Sequence, residues 1–332
     1  AKSNVKNPTK EHTELAILQN KGSLEVLGTS FKDSIQKSGL SDEEKDFILG
    51  QLSSARNSIS DYIQFLENIT NNTNGDDWRS FRIGIDLYEE KFRHDIVSRY
   101  SAKEIYNKAV QRKELLHIKM AELSKRLWSK YMADQPMPDE DVAVIKQVID
   151  KISLKHVDPD SFLVAIRNQI PELEKFVTDK DLIYLDPEKP LVVRQTPAYM
   201  EGSGAGASIS SPGPYDKFGN TYYNVSPLSG YSDEHAESYL REYNHYILQI
   251  LNIHEAVPGH YTQLVYANNS PSMIKSIFGN GAMIEGWAVY SELMMLENGY
   301  GNNEDEMWLM YYKWHLRSVC NTILDYSVHV LN

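Results

Sequence analysis

The segment LNIHEAVPGHYTQL, residues 251–264, contains the residues whose types and spacing most strongly indicate chemistry. It has His254 and Glu255 in succession and a second histidine, His260, six residues after the first. Zinc peptidases commonly have two histidines four residues apart, because that spacing places both on one face of a helix. At about 100° per residue, the longer spacing turns the second imidazole roughly 240° away, so an unbroken helix would not let both bind one ion.

Pro258 and Gly259 lie between the two histidines and predict the helix break that this spacing requires. Pro258 has no N–H for the carbonyl of residue 254, and its ring clashes with that carbonyl. Gly259 can adopt a positive φ, which favours looping out the extra residues. With two residues looped out, His260 returns to the position of an i+4 histidine. Glu255 then faces a water on the metal rather than the metal itself.

A third ligand is expected elsewhere in the chain, because a catalytic zinc site has three protein ligands and one open position. Glu285 lies 25 residues after His260, in the segment NGAMIEGWAVYSELMMLE. Its apolar neighbours make an unpaired carboxylate unfavourable, and the small residues that follow it allow another helix to approach closely. We therefore predict His254, His260 and Glu285 as the ligands. Glu292, about 10 Å further along the helix, is the substitute, or a partner of a ligand histidine.

The rest of the sequence predicts mostly helices. Up to about residue 178 the pattern is helical, with capping boxes at Ser41 and Ser101 and a helix start at Asp158-Pro159. Polar breaks occur at 71–77 and 133–141. Helical periodicity returns at about residue 232 and continues to the end.

Between about 180 and 231 the sequence predicts short strands, at 181–186, 190–197 and 220–228. The glycine-rich residues 201–214 lack the spacing and the Lys-Ser/Thr ending of a phosphate-binding loop, so we interpret them as a flexible loop beside a small sheet. The chain is therefore predicted to be mainly α with a small β-sheet inserted around 180–226. A helical region, 1–178, would precede the region of the sheet and metal-site helices, 179–332, and the two would form one continuous catalytic unit.

Composition excludes several classes of function. Lys and Arg total 34 against 46 Asp and Glu, giving a formal net charge of −12, which argues against nucleic acid and anionic membrane surfaces as partners. The single cysteine, Cys320, excludes an internal disulfide and a cysteine-based metal cage. No segment approaches the ~20 apolar residues of a membrane helix, and the polar N-terminal residues contain no signal peptide. The last residues end within an apolar helical pattern, so we expect a longer protein, with any lipid anchor outside these residues.

Separated motifs resemble one bacterial family. HEAVPGHYTQ (254–263), EGWAVYSE (285–292) and LRSVCNTILDYSVH (316–329) occur in the order seen in the family called domain of unknown function 885, DUF885. The resemblance covers about residues 180–332 well and the helical first half loosely. Many of its members are candidate lipoproteins, which implies a location in the bacterial cell envelope or periplasm. The family is similar to gluzincin metallopeptidases, in which two histidines and a glutamate bind zinc. The resemblance thus implies a helical gluzincin-like architecture with zinc as its cofactor.

Metal-assisted hydrolysis is the mechanism that this ligand set implies. Zinc polarises the scissile carbonyl and lowers the pKa of its water, and Glu255 takes the water's proton and passes it to the leaving amine. The developing oxyanion needs a further donor. We predict His329 and Arg317 for this role, with His315 and the tyrosines at 311 and 312 as further candidates.

Substrate binding is predicted at residues 220–227, NTYYNVSP. An edge strand there would pair with an extended peptide, with Tyr223 and Asn224 as its contacts. The leading function is a zinc metallopeptidase that cleaves short peptides. The second candidate function is a metal-dependent amidase or esterase, which would use the same metal to cleave a different bond in a non-peptide substrate. A metal-free envelope lipoprotein, serving as a binding or scaffold module, would leave His254 and His260 purely structural.

Overall fold

The computed structural model describes residues 1–197, 200, 206–216 and 218–331, and within them the protein is mainly helical with one small sheet, as predicted. The helices and strands are α1 (Lys10–Val26), α2 (Thr29–Lys37), α3 (Asp42–Asn72), α4 (Gly84–Asp95), α5 (Ala102–Tyr131), α6 (Asp141–Ile152), α7 (Phe162–Asp179), β1 (Leu191–Gln195), β2 (Ala207–Ser210), β3 (Thr221–Val225), α8 (Asp233–Glu242), α9 (His245–Glu255), α10 (His260–Asn268), α11 (Met273–Ile277), α12 (Gly281–Glu297) and α13 (Asp305–Tyr326).

The predicted helix starts are confirmed. Ser41 and Ser101 each accept a hydrogen bond from the backbone of a glutamate three residues later, and that glutamate's side chain bonds back to the serine backbone. Each box satisfies N–H groups that the first helical turn leaves without partners. At Asp158-Pro159 the chain first makes a short 3₁₀ turn, Pro159–Ser161, which leads directly into α7.

The described chain forms two compact units. The first unit comprises Ala1–Leu87, Ala198–Met200 and Val328–Asn332. Within it, α3 packs against α1 and α2, and buries Leu52, Ile63 and Leu66.

The second unit, Tyr88–Pro197 and Glu201–Ser327, contains the sheet and all the predicted metal ligands. Here α13 packs along α5, while α9 contacts α7, α12 and α13. The apolar residues of α9 are buried almost all round, with Ile247, Ile250 and Ile253 fully inaccessible. A helix that is apolar on all sides belongs in a core. His254 and Glu255, at the C-terminal end of this helix, are half-buried.

The sheet has the strand order β1-β3-β2. β3 pairs in parallel with β1, where Val193 lies opposite Tyr223, and antiparallel with β2, where Ile209 lies opposite the same tyrosine. The prediction of an edge strand at 220–227 is therefore wrong, because β3 is the central strand. Residues 181–186 form no strand; they begin at a turn in which Asp181 has φ 50°. Within the predicted loop 201–214, residues 207–210 form β2, whereas 201–205 lie outside the described residues.

No described helix combines the length and the apolarity needed to cross a membrane.

Candidate metal centre

The helix break predicted between the two histidines is present. α9 ends at Glu255, and α10 begins at His260. The connection contains a cis peptide bond between Val257 and Pro258. The N–H of Gly259 donates to the carbonyl of Ile253, 3.0 Å away, so the chain folds tightly back over the end of α9. The break brings the two imidazoles together edge to face, with ring centroids 4.7 Å apart.

Gly259 makes this connection possible, but not through a positive φ. Its φ is −73°, so the predicted left-handed conformation is wrong. A Cβ at this position would lie 1.9 Å from the carbonyl oxygen of His254 and 2.3 Å from that of Ile253. Glycine is therefore required because two backbone segments approach each other more closely than any side chain allows.

The Gly259→Ala variant is expected to be destabilised by about 1–3 kcal/mol or more, because the added methyl group must displace backbone rather than a flexible side chain. The midpoint of urea denaturation measures this loss. The matched control is Gly286→Ala in α12, where an added Cβ meets nothing within 4 Å. Removing this helical glycine should leave stability unchanged or raise it by about 0.5–1 kcal/mol. Equal stability of the two variants would contradict the close backbone approach at Gly259.

His254, His260 and Glu285 converge, each offering one ligand atom, and these atoms all lie within 4.8 Å of one another. Glu285 Oε2 lies 3.6 Å from His254 Nε2 and 3.7 Å from His260 Nε2. These separations are long for hydrogen bonds. They resemble the distance of about 3.4 Å between ligand atoms that sit about 2.1 Å from a tetrahedral zinc ion. The donor set of two imidazole nitrogens and one carboxylate also suits zinc.

The two glutamates of α12 differ in burial, and opposite to expectation. The Glu285 side chain is 68% exposed, so it is not a carboxylate buried among apolar residues. Glu292, the substitute candidate, is 1% exposed. They lie two helical turns apart on one side of α12. One therefore reaches the cluster from the solvent side, and the other lies beneath it.

Glu292 contacts the distal nitrogen of His254. Its Oε1 lies 2.6 Å from His254 Nδ1 and accepts a second hydrogen bond from the indole N–H of Trp314 at 3.1 Å. A carboxylate at Nδ1 places a proton there, so that Nε2 is the nitrogen directed toward Glu285. Metal-ligating histidines are commonly fixed in this way. His260 differs, because its Nδ1 has no hydrogen-bond partner among the described residues.

The electrostatics of the cluster favour a positive charge at its centre. Burial opposes the charged form of His254, yet interactions with Glu285 and Glu292 raise its pKa to about 9. Interaction with His254 lowers the pKa of Glu285. Burial and the neighbouring His254 lower the pKa of His260, which favours the neutral imidazole that a metal requires. A divalent cation between these three groups fits this charge distribution.

Glu255, the predicted general base, is the last residue of α9. Burial raises its pKa, the charge of His254 lowers it and the charge of Glu285 raises it, and together they bring the pKa to about 7. A base whose pKa lies near the working pH can both accept and return a proton. The phenol of Tyr223 also lies close enough to Glu255 for its own pKa to be raised by that charge, in addition to its burial.

The structure gives Arg317, His329 and His315 neighbours of their own. The Arg317 side chain is exposed and stacks over the Trp314 ring, 5.1 Å from its centroid, so it is linked to the cluster through Trp314 and Glu292. His329 lies in the first unit, edge-on to Phe81 with ring centroids 6.1 Å apart. The oxyanion roles of both remain predictions. His315 accepts a hydrogen bond from Arg112 at 3.3 Å. Burial and that guanidinium lower its pKa to about 4, so it is neutral at pH 7.

Tyr223 and Asn224 are buried in the central strand with hydrogen-bond partners of their own. The Tyr223 hydroxyl donates to Asn252 Oδ1 at 2.9 Å. The Asn224 side chain accepts from Arg194 and donates to Ser210, both at 2.8 Å. The argument that selected them as substrate contacts relied on an exposed strand edge, so it no longer holds.

Two tryptophans support the centre and were missed in the sequence. The Trp314 indole bonds Glu292, and the Trp287 indole N–H donates to the carbonyl of Pro258 at 2.8 Å, which attaches α12 to the connection between the histidines. Trp287 follows Glu285 by two residues, a proximity that could have suggested a supporting role. Trp314 has no such signal, because its contact depends on how α13 packs.

Comparison with known proteins places the chain in a family. None of the curated proteins matches it. Five chains of solved structures are similar to this one, among them the two that follow. A "putative lipoprotein of unknown function" from Shewanella oneidensis is 56% identical, with a TM-score of 0.82 over 99% of this chain and 59% of that one. A "putative lipoprotein" from Colwellia psychrerythraea is 18% identical, with a TM-score of 0.73 over 97% of this chain and 55% of that one, and shows the fold alone. The chain thus spans little more than half of either protein. The family described as "Bacterial protein of unknown function (DUF885)" matches residues 1–332, and the chain belongs to it.

Proposed function

We propose that this protein is a zinc-dependent hydrolase, and more specifically a metallopeptidase that cleaves short peptides with Glu255 as general base. The observation that carries the proposal is the convergence of His254, His260 and Glu285 within 4.8 Å, next to the half-buried Glu255, which is not one of the three converging residues. Three nitrogen and oxygen ligands with a fourth position open are typical of catalytic zinc.

The division of labour follows from burial and position. His254 and His260 would hold the ion from the protein side, with Glu292 fixing the His254 ring. The exposed Glu285 would close the set on the side from which a substrate can enter. Zinc in this position supplies Lewis-acid polarisation of a carbonyl group and acidification of water. Glu255 would receive the proton of the attacking water and deliver it to the leaving amine.

The proposal also gives the protein a location and a substrate size. Both similar structures are described as lipoproteins, so we place the protein in the bacterial cell envelope. The restriction to short peptides follows from analogy with gluzincin-like, helix-walled peptidases, which enclose deep clefts.

Elemental analysis combined with a peptide library tests this function. We expect about one zinc per chain, peptide hydrolysis that is lost on treatment with a chelator, and recovery on zinc addition. A parallel panel of esters and non-peptide amides separates peptidases from other hydrolases. A folded protein that binds no zinc and cleaves neither panel would rule out the proposal, whereas cleavage confined to the second panel would change the bond class.

A further inference from the structure

An apolar pocket of about 710 Å³ opens beside the candidate metal centre, between α10, α11 and α12. Its apolar wall is formed by Ile183, Leu264, Phe278, Met283, Ile284 and Trp287. Phe278 is 75% exposed and Met283 56% exposed. Large apolar side chains left in water around a concave pocket mark a binding site, and this volume is within the range of small-ligand pockets.

Part of the pocket lining lies on the same face of α10 as His260. His260, Gln263, Leu264 and Ala267 follow the i, i+3, i+4, i+7 spacing of a single helix face. The first of these is a predicted ligand, and the other three line the pocket. Trp287 lies at the junction, because its ring lines the pocket while its indole N–H bonds Pro258 in the connection between the histidines. On α12 the wall residues lie on a different side from Glu285, so α10 and Trp287, rather than Glu285, link the pocket to the cluster.

The lining also specifies the charge of an occupant. Lys275 is the only charged side chain among the described lining residues. A cationic side chain would be repelled by Lys275, and a polar one would exchange water for a lining whose exposed surface is mostly apolar. An uncharged aromatic or long aliphatic side chain fits this lining.

We propose that this pocket binds a large apolar side chain of the peptide substrate, next to the bond that is cleaved, and so sets the specificity of the enzyme. The inference rests on the proposed function, because the α10 face that the pocket shares with His260 gives the pocket its role. A lipid acyl chain and a second copy of the protein are the alternative occupants. Neither of these occupants would need a pocket on the same face of α10 as His260.

Binding and hydrolysis are measured separately. Binding is measured by calorimetry on the Glu255→Gln protein, so that the added peptides are not hydrolysed during the titration. The probes are blocked dipeptides that differ only in Phe, Leu, Ser or Lys at one position. Burial of a Phe or Leu side chain predicts about 10- to 100-fold tighter binding than for Ser, with Lys weakest. In this protein, Met283→Asp should remove the preference for Phe and Leu. Because Met283 is half-exposed, this change should not impair folding. Val142→Asp, at a 66% exposed site in α6, is the matched control and should leave the preference unchanged.

Each outcome of these measurements either supports the proposed role of the pocket or overturns it. Met283-dependent preference for Phe and Leu supports the pocket even where no peptide is hydrolysed, and in that case only the proposed function fails. In the active protein the same order should appear in kcat/KM. Equal binding of all four dipeptides, or no detectable binding, overturns the inference. So does tighter binding of a fatty acid with no dipeptide preference, or a dimer that Met283→Asp dissociates without changing dipeptide affinity.

Discussion

Replacing Glu255 by Gln should lower peptide hydrolysis by at least about 100-fold while zinc content stays unchanged. Glutamine keeps the size of the side chain and its place at the end of α9, but it cannot accept the proton of the attacking water. Because Glu255 is not among the converging ligand atoms, its neutralisation removes the base and leaves the ion's ligands intact.

Steady-state kinetics and elemental analysis on the same preparation make the comparison. Glu297→Gln, at the last residue of α12, is a matched control that should retain both activity and zinc. Loss of stoichiometric zinc in Glu255→Gln would make Glu255 a ligand and contradict the assigned role. Full activity with full zinc would show that another group takes the proton.

Replacing Glu285 and Glu292 of α12 one at a time should distinguish the metal ligand from the residue that orients a ligand histidine. Glu285→Ala is expected to abolish tight zinc binding, since it deletes one of three ligands. Glu292→Ala should weaken binding by about 10- to 100-fold, the effect typical of a partner that orients a ligand histidine. It should also lower the free energy of unfolding by about 1–3 kcal/mol, because the buried His254 Nδ1 and the Trp314 indole lose their shared acceptor.

Competition titration against a zinc chelator measures both affinities, and urea denaturation measures stability. Glu292→Gln retains an acceptor oxygen and should recover most of the stability. Tight zinc binding that survives in Glu285→Ala but vanishes in Glu292→Ala would reverse the two roles.

The parts of the centre that could be predicted from sequence are those with local causes. Pro258 and Gly259 cannot continue the helix begun by α9, so the break follows from backbone chemistry alone. The three converging residues could be named from sequence, because a catalytic zinc site needs three protein ligands, and two histidines around a helix break with a later glutamate can supply them. The burial of Glu292 could not be predicted in this way, because the two donors to its carboxylate, the His254 ring and the Trp314 indole, come from different helices.

The sheet shows the same limit. Alternating β-rich residues identified β1 and β3, but a strand's neighbours are set by chain topology rather than by its own residues. The partner that makes β3 central is β2, which lies in a glycine-rich segment with little strand propensity. Gly259 is an intermediate case. Its identity indicated a tight connection, but only the position of the His254 carbonyl shows that contact, rather than dihedral angle, selects glycine.

The predicted ligands lie on three different helices, α9, α10 and α12. An ion held by all of them would act as a cross-link, closing a loop over the 24 residues between His260 and Glu285. That loop includes α11, which has no buried residue. Closing a loop reduces the conformations open to its residues, and metal-binding free energy then becomes folding free energy for the enclosed segment. Zinc occupancy would therefore control the resistance of the α11 segment to proteases, in addition to its role in chemistry.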